Sequence, residues 1–519
     1  MRTDPAPAPT CTSEVSLTQI LAPDAPTPTV EGITFGERSV SGRSSDTTTH
    51  RGSRDLMTDS SRPLRVAIVG AGPAGIYAAD ALMKSDTAKD RGVSIDLYER
   101  MPAPFGLIRY GVAPDHPRIK GIITALHKVL DKPQVRLLGN VDYGTDITLD
   151  ELRSHYDAVI FSTGATDDRA LDIPGIDLDG SYGAAQFVAW YDGHPDFPRT
   201  WPLEAEKVAV IGVGNVALDV ARVLAKTGDE LLPTEIPANV YEGLKNNKAV
   251  EVHVFGRRGP AQAKFTPLEL KELDHSPNIE VVVNPEDIDY DEGSAVARRG
   301  SKITDQVATI IENYAMREPK EGAIHKLFLH FFESPVEILG EDGTVTGLRT
   351  ERTQLDGTGN VKPTGKHTDW EIGAVYRAVG YLSDNLPQIP FDQQAGVIPN
   401  EAGRIYDEGD HLVGMYTTGW VKRGPVGLIG HTKGDANETV DCILEDMTND
   451  ALLNPAHPAE QDVIDLLESK SIPFTTWDGW YRLDEHERAL GAAEGRERIK
   501  VVEREDMLAA SEPGKVDKP

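Results

Sequence analysis

Residues 66–69, Val-Ala-Ile-Val, are apolar and largely β-branched, and the run stops on Gly70-Ala-Gly-Pro-Ala-Gly75 before a helix-compatible stretch at 76–84. A short apolar run cut off by glycine predicts a buried strand, and the spacing after it predicts a helix. A second strand, 93–98, ends on Glu99. The same pattern returns at 207–219, Lys-Val-Ala-Val-Ile-Gly-Val-Gly-Asn-Val-Ala-Leu-Asp, followed by a strand at 250–255 that ends on Gly256-Arg257-Arg258. Further apolar runs predict strands at 135–141, 156–165, 279–283, 326–332, 345–350, 374–380 and from Met415. Amphipathic spacing predicts helices over 119–130, 303–316 and 459–470, and one starting near Asp435. Strands alternating with helices indicate an α/β protein with two Rossmann-like, three-layer βαβ units.

The glycines supply the chemistry of these turns. Gly70 suits the tight turn, Gly72 the close approach of a pyrophosphate to the backbone, and Gly75 close packing of helix on strand. The helix N-terminus then offers free N–H groups and the positive end of its dipole to the phosphates. Glu99, 24 residues beyond Gly75, lies near the spacing expected of an acid that binds a ribose hydroxyl. In the second unit Gly212, Gly214 and Ala217 repeat the pattern, 142 residues after the first. Its second strand ends on two arginines instead of an acid. A carboxylate there favours a free 2′-hydroxyl and guanidinium groups favour a 2′-phosphate, so the second site is expected to take NADP and the first a dinucleotide such as FAD.

Composition narrows the function. The 519 residues carry 53 basic and 83 acidic side chains, a net charge of −30, which argues against non-specific nucleic-acid binding. No apolar run approaches the roughly 18 residues that span a bilayer. With only Cys11 and Cys442 there is no Cys-x-x-Cys redox pair, zinc site or iron–sulfur ligand set, and no metal is expected. Redox chemistry must reside in a bound cofactor, and a flavin in the first site supplies it.

Residues 1–61 are rich in Pro, Thr, Ser and Asp, lack periodicity and are expected to be a disordered tail, with Met57 as an alternative start. The first sixty residues show no secretory signal, and eight acids against five arginines disfavour a mitochondrial presequence; a cytoplasmic location is expected. The nucleotide domains are expected at 62–170 with 375–510, for FAD and discontinuous, and at 171–374, for NADP. A frayed tip is expected over 511–519, with fraying from about Ala510. The long Pro- and Gly-punctuated stretch 101–117 carries Arg109, Asp115 and His116 and reads as a functional loop; His116 alone reads equally as a loop histidine with a local hydrogen bond. Trp420, set among Gly, Lys and Arg, reads as stacking on a cofactor ring. Residues 289–299 read as a solvated charged insertion.

Four stretches, Pro104-Phe-Gly-Leu-Ile-Arg-Tyr-Gly-Val-Ala-Pro-Asp-His-Pro117, Gly214-Asn-Val-Ala-Leu-Asp219, Gly256-Arg-Arg-Gly-Pro260 and Gly419-Trp-Val-Lys-Arg-Gly-Pro-Val-Gly-Leu-Ile-Gly430, together resemble the ferredoxin–NADP reductases of the adrenodoxin-reductase type, in the glutathione-reductase structural class. The resemblance covers about residues 62–510. It implies that FAD is held by Ala74, Glu99, Leu107, the strand near Tyr143, Trp420 and the backbone of Gly427, Leu428 and Ile429. It implies that NADP is held by Gly214, Asn215, Val216 and Ala217, by Arg257 and Arg258, and by Glu269 and Gly427. It sets His116, Asp219 and Glu272 where nicotinamide meets flavin. The family often carries Trp where Phe105 stands, and its catalytic core has no counterpart of the first sixty residues.

The activity implied is hydride transfer from NADPH to flavin N5, then single electrons to a ferredoxin-type iron–sulfur partner. Arg298, Arg299 and Lys302, with Lys422 and Arg423 nearer the flavin, are candidate docking cations; 298–302 reads equally as a solvated turn. A flavin monooxygenase or NADPH diaphorase, and an FAD-binding electron-transfer subunit or scaffold without turnover, are the alternatives. The missing Cys-x-x-Cys argues against a thioredoxin-reductase relative.

Overall fold

The computed structural model describes residues 62–116, 120–427, 430 and 432–512. The tail expected over 1–61, the site residues Leu428 and Ile429, and residues 513–519 of the expected tip lie outside the described residues. Two sheets dominate, one mixed and one parallel, both within one compact unit, Thr58–Pro519.

The seven-stranded sheet runs, from edge to edge, Asn400–Glu401, Arg404–Asp407, Asp410–Thr417, Ala158–Phe161, Leu64–Val69, Val93–Glu99 and Val135–Gly139. Its first strand, Leu64–Val69, is buried at every position and lies parallel between Val93–Glu99 and Ala158–Phe161. A strand covered on both faces reads as a continuous apolar run, which is why the sequence displays it. Helix Pro73–Lys84 packs its Ala and Ile face on this sheet and against helix Thr432–Thr448.

The six-stranded sheet is parallel throughout, in the order Ser181–Gly183, Ala374–Arg377, Lys207–Ile211, Glu251–Phe255, His325–His330, Ile279–Val283. Strand Ala374–Arg377 pairs with Lys207–Ile211 and Ser181–Gly183. Residues 375–377, expected in the first domain, therefore belong to the second sheet, because their apolar side chains Val375 and Tyr376 fill its two faces. The chain crosses between the sheets on a two-stranded ribbon, Asp167–Asp168 against Tyr381–Leu382. Three antiparallel strands, Glu333–Glu341, Thr344–Leu355 and Val361–Glu371, extend the second half.

Helical order extends to three further segments. Helix Glu292–Gly300 occupies the charged insertion, its first turn capped by Asp291, whose Oδ1 accepts from Ser294 N–H at 2.7 Å. The aromatic cluster at 477–481 opens helix Trp477–Ala493. Ala510 and Ser511, expected in a frayed tip, close helix Arg504–Ser511; Ser511 is buried, and its carbonyl accepts from Arg482 at 2.8 Å.

Candidate functional site

At the first glycine turn, Gly70 adopts φ +109°, and a Cβ there would lie 2.6 Å from the Ser162 carbonyl oxygen. Gly72 caps helix Pro73–Lys84 without contributing a side chain, leaving the first-turn N–H groups open. A Cβ at Gly72 would meet only Gly106 Cα, at 4.0 Å, whereas one at Gly75 would press to 2.2 Å on the Gly70 carbonyl. The turn is thus open at the second glycine and closed at the first and third, the shape a pyrophosphate needs. Glu99 ends the second strand, and its buried carboxylate accepts from Ala71 N–H at 3.0 Å and Met101 N–H at 3.1 Å. Burial outweighs these bonds and raises its pKa above the usual carboxylate range.

The loop after this unit folds back over the turn. Phe105 N–H donates to the Ala71 carbonyl at 2.9 Å, and the Phe105 ring turns into the core, stacked on His127 with centroids 5.3 Å apart. Leu107 starts the short helix Leu107–Tyr110. Across the turn, Gly419 approaches so closely that a Cβ there would lie 2.6 Å from that of Ala74. Trp420 follows, half-buried and stacked on Tyr381 at 6.2 Å with a 28° interplanar angle. Gly427 is exposed with φ +90°. Tyr143 spends its ring on Phe161, at 5.1 Å, and its hydroxyl donates to the Pro387 carbonyl at 2.7 Å.

The second turn has the same design. Gly212, at φ +139°, leaves a Cβ only 2.2 Å from the Ala378 carbonyl, while a Cβ at Gly214 would meet nothing within 4 Å. Gly214 caps helix Asn215–Ala225 without a side chain, and Ala217 is wholly buried. Gly212 N–H donates to the Phe255 carbonyl at 3.0 Å, which brings the end of strand Glu251–Phe255, and with it Arg257 and Arg258, beside the loop. Arg257 is exposed and Arg258 half-buried, and neither enters an ion pair among the described residues.

The two turns converge. Val216 and Trp420 pack against one small cluster of Ala165, Ala185 and Tyr381. Next to it His116, 3% exposed, meets three carboxylates of the second half. Its Nε2 lies 2.9 Å from Asp219 Oδ1 and 2.6 Å from Glu269 Oε2, and its Nδ1 lies 2.7 Å from Glu272 Oε2. Burial opposes a charged ring, but the hydrogen bonds to Asp219 and Glu269 outweigh it and raise the pKa of His116 to about 9. Arg222 Nη2 lies 2.6 Å from the same Nε2 and opposes charge on the ring, yet the carboxylates prevail and the imidazole is charged at neutral pH. One donor atom each from His116, Glu269 and Glu272 falls within 4.8 Å of the others.

Sequence reasoning missed two members of this constellation. Arg222, three residues after Asp219 on one helix face, donates to Asp115 and Asp219. Tyr381, just past the apolar run 374–380, stands between the turns. Most of the candidate docking cations are ion-paired. Arg298 pairs with Asp305 and Glu312, and Arg299 with Glu292. Lys422 is buried on Asp435 and Glu438, and Arg423 binds the same two acids. Four of the five candidates are thus ion-paired within the chain, Arg299 and Arg423 while still exposed, and Lys302, also exposed, enters no ion pair among the described residues.

A family model described as pyridine nucleotide-disulphide oxidoreductase matches residues 64–284. NADPH-ferredoxin reductase FprA of Mycobacterium tuberculosis is 41% identical over 460 residues, covering 86% of this chain and 99% of that protein. The mitochondrial NADPH:adrenodoxin oxidoreductase of Arabidopsis thaliana is 35% identical over 479 residues, 88% of this chain and 98% of that protein. The solved structure of Mycobacterium tuberculosis FprA in complex with NADPH superposes with a TM-score of 0.80 at 40% identity, covering 87% of this chain and 100% of that one.

Proposed function

The chain belongs to the family of the NADPH-ferredoxin and NADPH:adrenodoxin reductases, and from that membership we propose that it is an FAD-dependent ferredoxin–NADP(+) reductase whose two glycine turns hold FAD and NADP(H). The observation that carries this reading is the convergence of the two turns on Ala165, Ala185 and Tyr381, with Trp420 on one side and Val216 on the other. The bound flavin supplies the redox chemistry, taking a hydride from NADPH and passing electrons singly to a ferredoxin-type iron–sulfur protein.

The side chains of this protein bind, orient and exclude water. Gly70, Gly72, Ala74 and Gly75 seat the FAD pyrophosphate on the N-terminus of helix Pro73–Lys84; Glu99 takes the ribose, and Leu107, Trp420 and the backbone of Gly427 line the flavin. Gly214, Asn215, Val216 and Ala217 seat the second pyrophosphate, with Arg257 and Arg258 on the 2′-phosphate. Asp219, Glu269 and Glu272 set negative charge around His116, an arrangement that favours the cationic nicotinamide ring of NADP⁺. The FAD-binding domain is proposed at 62–170 with about 378–510 and the NADP-binding domain at 171–377. The proposed compartment is the cytoplasm, on the acidic balance of residues 1–60.

Anaerobic stopped-flow mixing of the purified protein with NADPH tests the reading. The flavin absorbance is expected to bleach, and cytochrome c reduction to require ferredoxin and to fall with added salt. A colourless protein, or a yellow one that NADPH does not bleach, would favour the scaffold alternative. NADPH oxidation that needs oxygen and an organic substrate would favour the monooxygenase.

A further inference from the structure

Residues 264–266 are stitched to the second glycine turn. Lys264 N–H donates to the Val213 carbonyl at 2.8 Å, Gly214 and Lys264 pair as an isolated parallel bridge, and Thr266 N–H donates to Asn215 Oδ1 at 2.8 Å. Phe265 is buried and Ala263 packs on the same core. In an extended segment alternate side chains point to opposite sides, so Lys264 faces outward, and it is exposed. Its neighbour across the bridge is Gly214, in front of which the space is open.

Lys264 has no ion-pair partner among the described residues, in a chain where 83 acids face 53 basic residues. Arg298, Arg299 and Arg317 are held by acids of the chain, whereas Lys248, Lys271 and Lys326, like Lys264, enter no ion pair among the described residues; what sets Lys264 apart is its place opposite Gly214. An unpaired ammonium beside the uncapped N-terminus of helix Asn215–Ala225 adds positive charge where that helix already favours an anion.

We propose that Lys264 determines nucleotide affinity by neutralising the pyrophosphate of NADP(H), while Arg257 and Arg258 read the 2′-phosphate. The proposal rests on the assignment of this turn to NADP(H). It also gives residues 264–272 a common purpose. The segment that begins on the pyrophosphate runs straight into helix Pro267–Glu272, which carries Glu269 and Glu272 to His116. Contact at Lys264 therefore sets the distance from the pyrophosphate to the nicotinamide end of the site.

The test is steady-state reduction of ferricyanide by the holoenzyme with NADPH and with NADH. Both nucleotides carry the pyrophosphate, so Lys264→Ala should raise KM for each by a similar factor, roughly five- to thirtyfold for loss of a partly exposed charged contact, and kcat should move far less. Lys264→Arg should restore most of the affinity. The Arg257→Ala/Arg258→Ala double variant serves as the reference and should raise KM for NADPH alone. An unchanged KM in Lys264→Ala, or a rise confined to NADPH, would overturn the proposal. If the wild-type holoenzyme is not reduced by NADPH at all, the assignment of the turn itself fails; normal wild-type reduction with an unaffected Lys264→Ala variant sinks only the role of Lys264.

Discussion

Arg222 holds both carboxylate oxygens of Asp115, with Nε 2.7 Å from Oδ2 and Nη2 2.8 Å from Oδ1. Asp115 immediately precedes His116 on the long loop, and Arg222 lies three residues after Asp219 on helix Asn215–Ala225. The bidentate pair therefore fixes the loop at the point where His116 reaches Asp219. Burial opposes charge on Asp115, yet Arg222 and then Lys226 hold its pKa well below the usual carboxylate range.

Replacing Asp115 with Ala should leave the Arg222 guanidinium, 1% exposed, with Asp219 at 2.8 Å and Glu269 at 3.9 Å as its remaining counter-charges. Removing one partner of a buried ion pair costs about 3–5 kcal/mol, so the midpoint of denaturant unfolding should fall clearly. Flavin reduction by NADPH should slow more than the KM for NADPH rises, because the change loosens His116 and leaves the phosphate contacts intact. Unchanged unfolding and reduction would show that the pair does not hold the loop.

The protonation of His116 gives a pH signature. The ordinary pKa of histidine is about 6.5 and the folded value is raised to about 9. A group raised on folding contributes stability that is fully present below the unfolded pKa and is lost as pH rises through the folded one. Melting temperatures of wild type and His116→Gln should therefore differ most near pH 6, and the gap should close between pH 6.5 and 9.5. A gap that stays constant across that window would show that the imidazole is not protonated in the folded protein.

Both glycine turns could be read from the chain because each joins a doubly buried strand, whose apolar run is unbroken, to glycines whose missing Cβ permits the positive φ of Gly70 and Gly212. The charge at their ends was equally readable, since Glu99 and Arg257 sit at fixed positions after a strand. What could not be read is which charges meet. Arg298 and Arg299 look like a basic patch until helix Glu292–Gly300 sets Glu292 beside Arg299 and the next helix, Lys302–Met316, brings Asp305 and Glu312 to Arg298. Lys422 looks exposed among glycines, yet helix Thr432–Thr448 covers it with Asp435 and Glu438. Strand Val361–Glu371 was invisible because, as an exposed edge, its side chains do not alternate between apolar and polar. Helix Trp477–Ala493 did leave a signal, Trp477, Trp480 and Tyr481 at helical spacing, which is masked by the acidic and basic residues between its buried positions.

That helix anchors the flavin loop from behind. Glu487, wholly buried, accepts from Arg109 Nη1 at 3.0 Å, from Arg498 Nη1 at 3.1 Å and from Val501 N–H at 3.0 Å. Lys500, in the same C-terminal segment, donates to the Arg109 carbonyl at 2.6 Å. Glu487→Ala would leave Arg109 buried without its carboxylate, a loss of about 3–5 kcal/mol. The variant should melt at a lower temperature than wild type even with excess FAD, and should release FAD on dilution. A melting temperature within a degree or so of wild type would mean that the loop is held by its other contacts.

The two glycine turns call for opposite outcomes from one kind of substitution. At Gly75 an added Cβ lies 2.2 Å from the Gly70 carbonyl oxygen and 2.6 Å from Ser162 Oγ. The first obstacle is backbone, so helix Pro73–Lys84 must move off its strand and the first turn loses its shape. Gly75→Ala should be isolated without FAD. Gly214, by contrast, has φ −114° and ψ 174°, open to any residue, and its added Cβ meets nothing within 4 Å. Gly214→Ala should fold, retain FAD and melt like wild type. Its methyl group would then stand where the second pyrophosphate approaches the backbone, so KM should rise for NADPH and NADH together. Absorbance of the purified variants reads the first outcome and steady-state kinetics the second. Retention of FAD by Gly75→Ala would remove the first turn from the flavin site, and an unchanged KM in Gly214→Ala would remove the second from the nicotinamide nucleotide.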